Sequence, residues 1–223
     1  MKNKELFSLE NTVAARLLEV CEYPWQLLDM IKEYILRIGS SLPKDRYYEP
    51  IKNVWIAKNA KLAKSAAIAG PVIICEGAEI RHGAFLRGGV IVGRGCVVGN
   101  STEIKNSILF DGAQAPHYNY VGDSVLGYRS HLGAGAVTSN LKSDKSEVTV
   151  TKNGEKIHTG RTKFGAALGD MVEVGCGSVL CPGTVVAKNS TVYPLCRVRG
   201  YIPENSIFKN ENTLTPKENR ESV

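Results

Sequence analysis

The sequence predicts an all-β fold, a parallel β-helix of hexapeptide repeats. First, an aliphatic or aromatic residue returns every six positions at Ile56, Leu62, Ile68, Ile74, Ile80, Leu86, Val92, Val98, Ile104 and Phe110. Second, the same spacing resumes in a new phase at Leu126 and Leu132, and again at Leu168, Val174, Leu180, Val186, Val192 and Val198. Third, small residues such as Ala60, Ser65, Ala66, Gly77, Ala78 and Gly83 lie between the large ones. Neither the 3.6 period of a helix nor the period of two of a strand accounts for such a series, whereas short strands joined by tight corners do. Three hexapeptides close a triangular coil of about 18 residues. Its inward side chains stack on those of the next coil, each burying apolar surface worth roughly 25 cal/mol per Å².

Ahead of the repeats, residues 5 to 39 carry a helical pattern. Thr12 to Val20 suits a short helix, and Pro24 fits the first turn of a second, where its fixed φ helps and its missing N–H costs nothing. Leu27, Leu28, Ile31, Tyr34, Ile35 and Ile38 then form one apolar face, with Gly39 as the stop. The expectation is an N-terminal helical hairpin, packed on the rest of the protein or on a sister chain, followed by a polar connector from Ser40 to Lys52. After Phe110 the series breaks, because Pro116 and Gly122 fall where aliphatics are due, so a loop containing His117 is expected there. A second interruption, at about 139–163, has Asn153-Gly154 between two alternating runs and reads as a projecting β-hairpin, placed to cover a site or grip a neighbouring subunit. From Glu204 the chain is polar and expected to be loose. The domain expectation is thus a helical segment at 1–50, a β-helix at 51–203 and a flexible tail at 204–223.

Composition narrows the function. The 223 residues are 43% hydrophobic, enough for one domain and a small appendage. No apolar run reaches the roughly 18 residues of a membrane helix, and the N-terminus lacks a secretory signal pattern, so a soluble cytoplasmic protein without a membrane partner is expected. Six scattered cysteines form no CxxC pair and are expected to be reduced core residues. A net charge of +6 and a pI near 9.0 favour an anionic partner. Nucleic acid, anionic lipid and a phosphorylated small molecule all fit that charge, and dispersed basic residues without interleaved aromatics make nucleic acid the weaker choice.

The run from Arg87 to Leu141 carries a specific motif, including Val98-Gly-Asn-Ser-Thr-Glu-Ile-Lys105, Pro116-His-Tyr-Asn-Tyr-Val-Gly-Asp123 and Leu132-Gly-Ala-Gly135. Over residues 54 to 200 the chain resembles the acetyltransferase domain of bifunctional N-acetylglucosamine-1-phosphate uridyltransferases. It is also similar to the short single-domain relatives of sugar-1-phosphate nucleotidyltransferases. That resemblance implies a left-handed parallel β-helix and a homotrimer with each active site between neighbouring prisms. It implies acetyl-CoA as co-substrate, no metal, and transfer of the acetyl group to a phosphorylated amino sugar such as glucosamine 1-phosphate. No Gly-rich nucleotide loop occurs in the first 50 residues, so uridyl transfer is not expected.

Such a transfer needs a base with a pKa near neutrality to take the ammonium proton, and the resemblance assigns His117 that role. It assigns Arg87, Lys105, Tyr120 and Asn140 to the sugar phosphate, for which Arg supplies a bidentate fork and Lys a point charge. It assigns Ala134, through its backbone, to the acetyl group. Cys176 is the further acetyl-CoA candidate, and the positive charge balance makes Lys188, Arg197 and Arg199 on late coils candidates for the CoA phosphates. Three positions depart from the family: His131 stands where it has Asn, Leu141 where it has Tyr, and Cys176 where it has Ser. The competing reading is a non-catalytic trimeric scaffold that partners a separate sugar-1-phosphate nucleotidyltransferase. A zinc hydratase on the same fold is a third, disfavoured because His82, His117, His131 and His158 lack its close histidine pairing.

Overall fold

The computed structural model describes residues 1–211 and 213–217. Short strands recur three to a coil and stack into three parallel sheets, the faces of a triangular prism. Face A contains Val54–Ala57, Val72–Ile74, Val90–Val92, Ser107–Leu109, Val125–Leu126, Ala166–Leu168, Thr184–Val186 and Tyr201–Ile202. Face B includes Val97–Asn100, Gln114–His117, His131–Leu132 and Glu173–Val174. Face C includes Phe85–Leu86, Glu103–Lys105, Tyr120–Gly122, Val137–Thr138, Val179–Leu180 and Arg197–Val198. The expected parallel β-helix is therefore the observed fold. At each end of the stack one strand runs antiparallel: Tyr47–Ile51 beside Val54–Ala57, and Thr213–Pro216 beside Ser206–Asn210.

The inward residues form one continuous core running through Ile56, Ile74, Val92, Leu109, Leu126, Leu168 and Val186 on face A, with matching columns on the other two faces. Ile56 pairs with Ile74 and Ile74 with Val92, a step of eighteen residues. Val92 then pairs with Leu109 and Leu109 with Leu126, a step of seventeen. The segment expected to loop out is therefore a regular coil one residue short, in which Ala115 and Val121 take the inward places above Val98 and Ile104. The missing residue lies at the corner from face C to face A, where Ile104 to Leu109 and Val121 to Leu126 each span five positions. Phe110 consequently points outward and packs on Phe7, ring centroids 5.0 Å apart.

Face A alone is buried on both sides. Ile73, Ile91, Ile108, Val125, Ala167 and Val185 form a second core with Leu17, Leu18, Trp25, Leu27, Leu28, Ile31 and Ile35 from the N-terminal segment. Its strands accordingly read as unbroken apolar runs such as Val72-Ile73-Ile74, the pattern of a sheet covered on both surfaces. The N-terminal segment is helical in pieces rather than a hairpin of two helices: α1 at Asn3–Leu6, α2 at Ala15–Glu19 and α3 at Ile31–Gly39. Turns occupy residues 24–30, so α3 starts well after Pro24. Gly39 ends α3 and also makes room, because a Cβ there would stand 2.3 Å from the Trp55 ring.

The insertion leaves face C at Asn140 and returns at Phe164, whose amide donates to the Asn140 carbonyl at 3.0 Å. Thr149–Lys152 and Glu155–His158 form the expected hairpin, with positive φ at both Asn153 and Gly154. It does not project freely. Val148 and Val150 are fully buried in the second core, and Arg161 grips the Asp29 carboxylate with a guanidinium nitrogen at 2.8 Å. The tail expected to be loose from 204 instead adds Ser206–Asn210 to face B and folds back as Thr213–Pro216. Phe208 supplies the apolar contact that a reading based on polarity overlooked. Residue 212 and residues 218–223 of that tail lie outside the described residues.

Candidate functional site at two corners of the prism

His117 ends its face B strand and stands at the corner leading to face C. Successive coils place His82, Asn100, His117, Ala134 and Cys176 in one column along this edge. The column is stitched by backbone bonds: Tyr118 N–H donates to the Asn100 carbonyl at 2.8 Å, Gly135 to His117 at 3.0 Å, and Gly177 to Ala134 at 2.8 Å. His117, Ala134 and Cys176 are thus neighbours at the coil spacing of roughly 4.8 Å. All three are exposed, and the His117 ring and the Ala134 amide hydrogen have no partner among the described residues.

What holds His117 is the buried side chain of Asn119. Its Oδ1 accepts the His117 amide hydrogen at 3.0 Å, and its Nδ2 donates to the carbonyls of Gly133 at 2.8 Å and Ala136 at 3.0 Å. A buried amide making three of its four possible hydrogen bonds locks the corner of one coil to the next. Between them Tyr118 is forced to a φ of 51°, a conformation that non-glycine residues adopt sparingly. Asn119 lies inside the motif but was given no role, since nothing in a single sequence tells an inward amide from a solvated one.

The sugar-phosphate candidates gather at the other end of the face C strands. Arg87 and Lys105 line a cleft of about 240 Å³ with Leu28, Asp29, Lys32, Gly88, Asn106 and Asp123. Arg87 donates to the Glu103 carboxylate at 2.6 Å. The buried Asp123 carboxylate receives Lys105 at 3.4 Å, Asn106 at 2.8 Å and Asn140 at 2.5 Å. Asn140 Nδ2 also reaches the Tyr120 hydroxyl at 3.3 Å. Tyr120 gets there by lying across Gly122, where a Cβ would fall 2.6 Å from its hydroxyl oxygen. Lys105, Asn140 and Tyr120 thus meet around Asp123, while Arg87 is held separately by Glu103; sequence reasoning left both acids unassigned. Asp123 closes the motif that begins at Pro116 and sits in the five-residue step from Val121 to Leu126.

The remaining candidates stand elsewhere. Lys188 occupies the corner from face A to face B, where it pairs with Asp170 at 3.3 Å and donates to Ser8 at 3.3 Å, tying down the N-terminal segment. It is distant from both groups and already engaged. Arg197 is exposed on face C and donates to Glu211 at 2.7 Å, and Arg199 is exposed beside it. His131, on the outer surface of face B, holds Glu173 through Nδ1 at 2.8 Å. Cys176 is exposed, unlike the core cysteine expected; the other five are buried, and burial pushes the Cys75 thiol up to about 12. Among the described residues no group of three His, Cys, Asp or Glu side chains is placed to hold a metal ion, and no helix is long and apolar enough to cross a membrane.

Residues 68–174, the stretch containing both corners, match the family described as the GMPPB C-terminal domain. A bifunctional sugar-1-phosphate nucleotidylyltransferase/acetyltransferase of Sulfurisphaera tokodaii is 36% identical over 107 residues, which cover 48% of this chain and 27% of that protein. The bifunctional protein GlmU of Methanococcus vannielii is 37% identical over 118 residues, 52% of this chain and 28% of the relative. The chain thus spans under a third of the length of these curated relatives. Among solved structures, the acetyltransferase domain of PglB from Neisseria gonorrhoeae matches 85% of this chain and 66% of that chain at 17% identity and a TM-score of 0.31. The chain resembles the hexapeptide acetyltransferases, and in particular the C-terminal domain of the bifunctional GlmU-type proteins.

Proposed function

We propose that the protein is an acetyl-CoA-dependent N-acetyltransferase whose acceptor is an amino-sugar 1-phosphate, such as glucosamine 1-phosphate, and that it works as a homotrimer with the site between neighbouring prisms. The observation that carries this reading is the His117 imidazole beside the Ala134 amide, one coil apart and both without a partner among the described residues, within the stretch 68–174 matched to the GMPPB C-terminal domain family. The acceptor ammonium first releases one proton to solvent, and as the freed lone pair attacks the thioester carbonyl carbon, neutral His117 takes a second proton from the same nitrogen. The carbonyl oxygen becomes an oxyanion that the Ala134 N–H stabilises. Collapse breaks the carbon–sulfur bond, the imidazolium returns its proton to the leaving thiolate, and the amide and free CoA remain. Arg87, Lys105, Tyr120 and Asn140 hold the acceptor at the far end of the face C strand, about 10 Å away across three residues of extended chain.

Free thiol, followed while the protein turns over acetyl-CoA with glucosamine 1-phosphate and galactosamine 1-phosphate, tests reaction and acceptor together. Release dependent on the amino-sugar phosphate and lost in His117→Ala is expected. No release with either acceptor would sink the acetyltransferase reading in favour of the scaffold, and a monomeric mass in solution would remove the shared site.

A further inference from the structure

We infer that Lys32, on α3 of the N-terminal segment, is a phosphoryl-binding residue of the acceptor site, so that the β-helix alone does not complete that site. The inference rests on the reading that the acceptor carries a phosphate, and it concerns the charge that faces it. The two cations of the β-helix in the cleft are each already matched by a carboxylate, Arg87 by Glu103 and Lys105 by Asp123. Asp29, the other acid lining the cleft, is held by Arg161 from the hairpin insertion, and that bond keeps its carboxyl below the usual aspartate range. Lys32 lines the same cleft, is exposed, and has no hydrogen-bond or ion-pair partner among the described residues. It is therefore the cation that a dianion entering the cleft meets uncompensated.

The backbone is built to receive its stem. Where the chain turns from face C to face A, Gly88 and Gly89 both have positive φ, and a Cβ on Gly89 would come within 3.2 Å of Lys32 Cγ. The absence of a side chain there lets the lysine stem lie over the corner while its ammonium stays in the opening, as long basic side chains do. Burial of Leu28, Ile31 and Ile35 in the second core fixes α3 beside that corner, so a flexible point charge has a defined origin.

Calorimetric titration of the full chain with glucose 1-phosphate, which has no amine to acetylate, and with inorganic phosphate tests this independently of turnover. Lys32→Gln is expected to weaken glucose 1-phosphate binding about tenfold, the size of one lost charge-assisted hydrogen bond, whereas Lys32→Arg stays within about twofold of wild type. Acetyl-CoA binding should be equal in all three proteins. In turnover, Lys32→Gln should raise KM for the amino-sugar phosphate and leave kcat in place. Equal binding of both anions by wild type and Lys32→Gln would overturn the inference even if acetyl transfer is found. Conversely, phosphate binding lost in Lys32→Gln with no acetyl transfer to any amino sugar would uphold Lys32 and discard the reaction.

Discussion

The corner holding His117 and the corner holding Lys105 lie at opposite ends of the same short strands, yet they are made differently. At the first, the side chain that matters is exposed and has no partner among the described residues, and order comes from beneath through the Asn119 side chain, which bonds only backbone. At the second, the polar side chains bind one another, with Asp123 at the centre of a mesh that includes Lys105, Asn106, Asn140 and, through Asn140, Tyr120. Under the proposed function, the side chain assigned to proton transfer is left free of bonds among the described residues, while those assigned to the anion are held in place beforehand, which lowers the ordering cost of binding.

The contrast can be broken most sharply at its two centres. His117→Ala should lower kcat for acetyl transfer by roughly 10² to 10⁴, with a urea unfolding midpoint close to wild type because the ring is exposed and has no hydrogen-bond or ion-pair partner among the described residues. A large stability loss in that variant would show that the first corner is also a mesh. Asp123→Ala should do the reverse in kind. Removing a buried carboxylate that answers a lysine and two amides should cost about 3 kcal/mol in urea unfolding and raise KM for the acceptor about tenfold. Unchanged stability would mean that Asp123 is not the hub.

Smaller perturbations sharpen the comparison. Gly122→Ala pushes the Tyr120 hydroxyl off its place beside Asn140. The phenol is the end of a flexible side chain, so KM should rise a fewfold at steady kcat, and an unchanged KM would remove Tyr120 from the acceptor group. The smallest effect should come from pH. The Asp29 carboxyl is held low by its hydrogen bonds to Arg161, so its tether is present at neutral pH, above the ordinary aspartate pKa of about 3.9, and is lost as the pH falls through the depressed folded value. Amide exchange of residues 155–163 should quicken over that acidic range in wild type and already be quick at pH 7 in Asp29→Asn. Equal exchange in both would show that Val148 and Val150 alone pin the hairpin.

Much of this architecture was legible in the sequence because a six-residue period with small spacers has few physical solutions. The hairpin turn at Asn153-Gly154 was legible for the same kind of reason, being local chemistry. The break at Pro116 and Gly122 was misread as a loop because deleting one residue from a corner moves every later inward position by one. Ala115 and Val121, a small and a branched residue, then carry the core in place of the expected aliphatics. His117, Arg87, Lys105, Tyr120 and Asn140 could be nominated by motif, but their division between two corners could not, since it depends on which face each five- or six-residue step ends on. Lys32 was out of reach entirely, because its relation to Gly89 spans two regions with no shared period.

A stack of parallel coils has a difficulty that closed barrels lack: its first and last coils present rows of unpaired backbone donors and acceptors to which another stack could add without limit. Here the antiparallel strands Tyr47–Ile51 and Thr213–Pro216 lie across those rows on faces A and B. A strand of reversed direction at each end cannot continue the parallel ladder in register, so head-to-tail growth into filaments is discouraged at both termini of the prism.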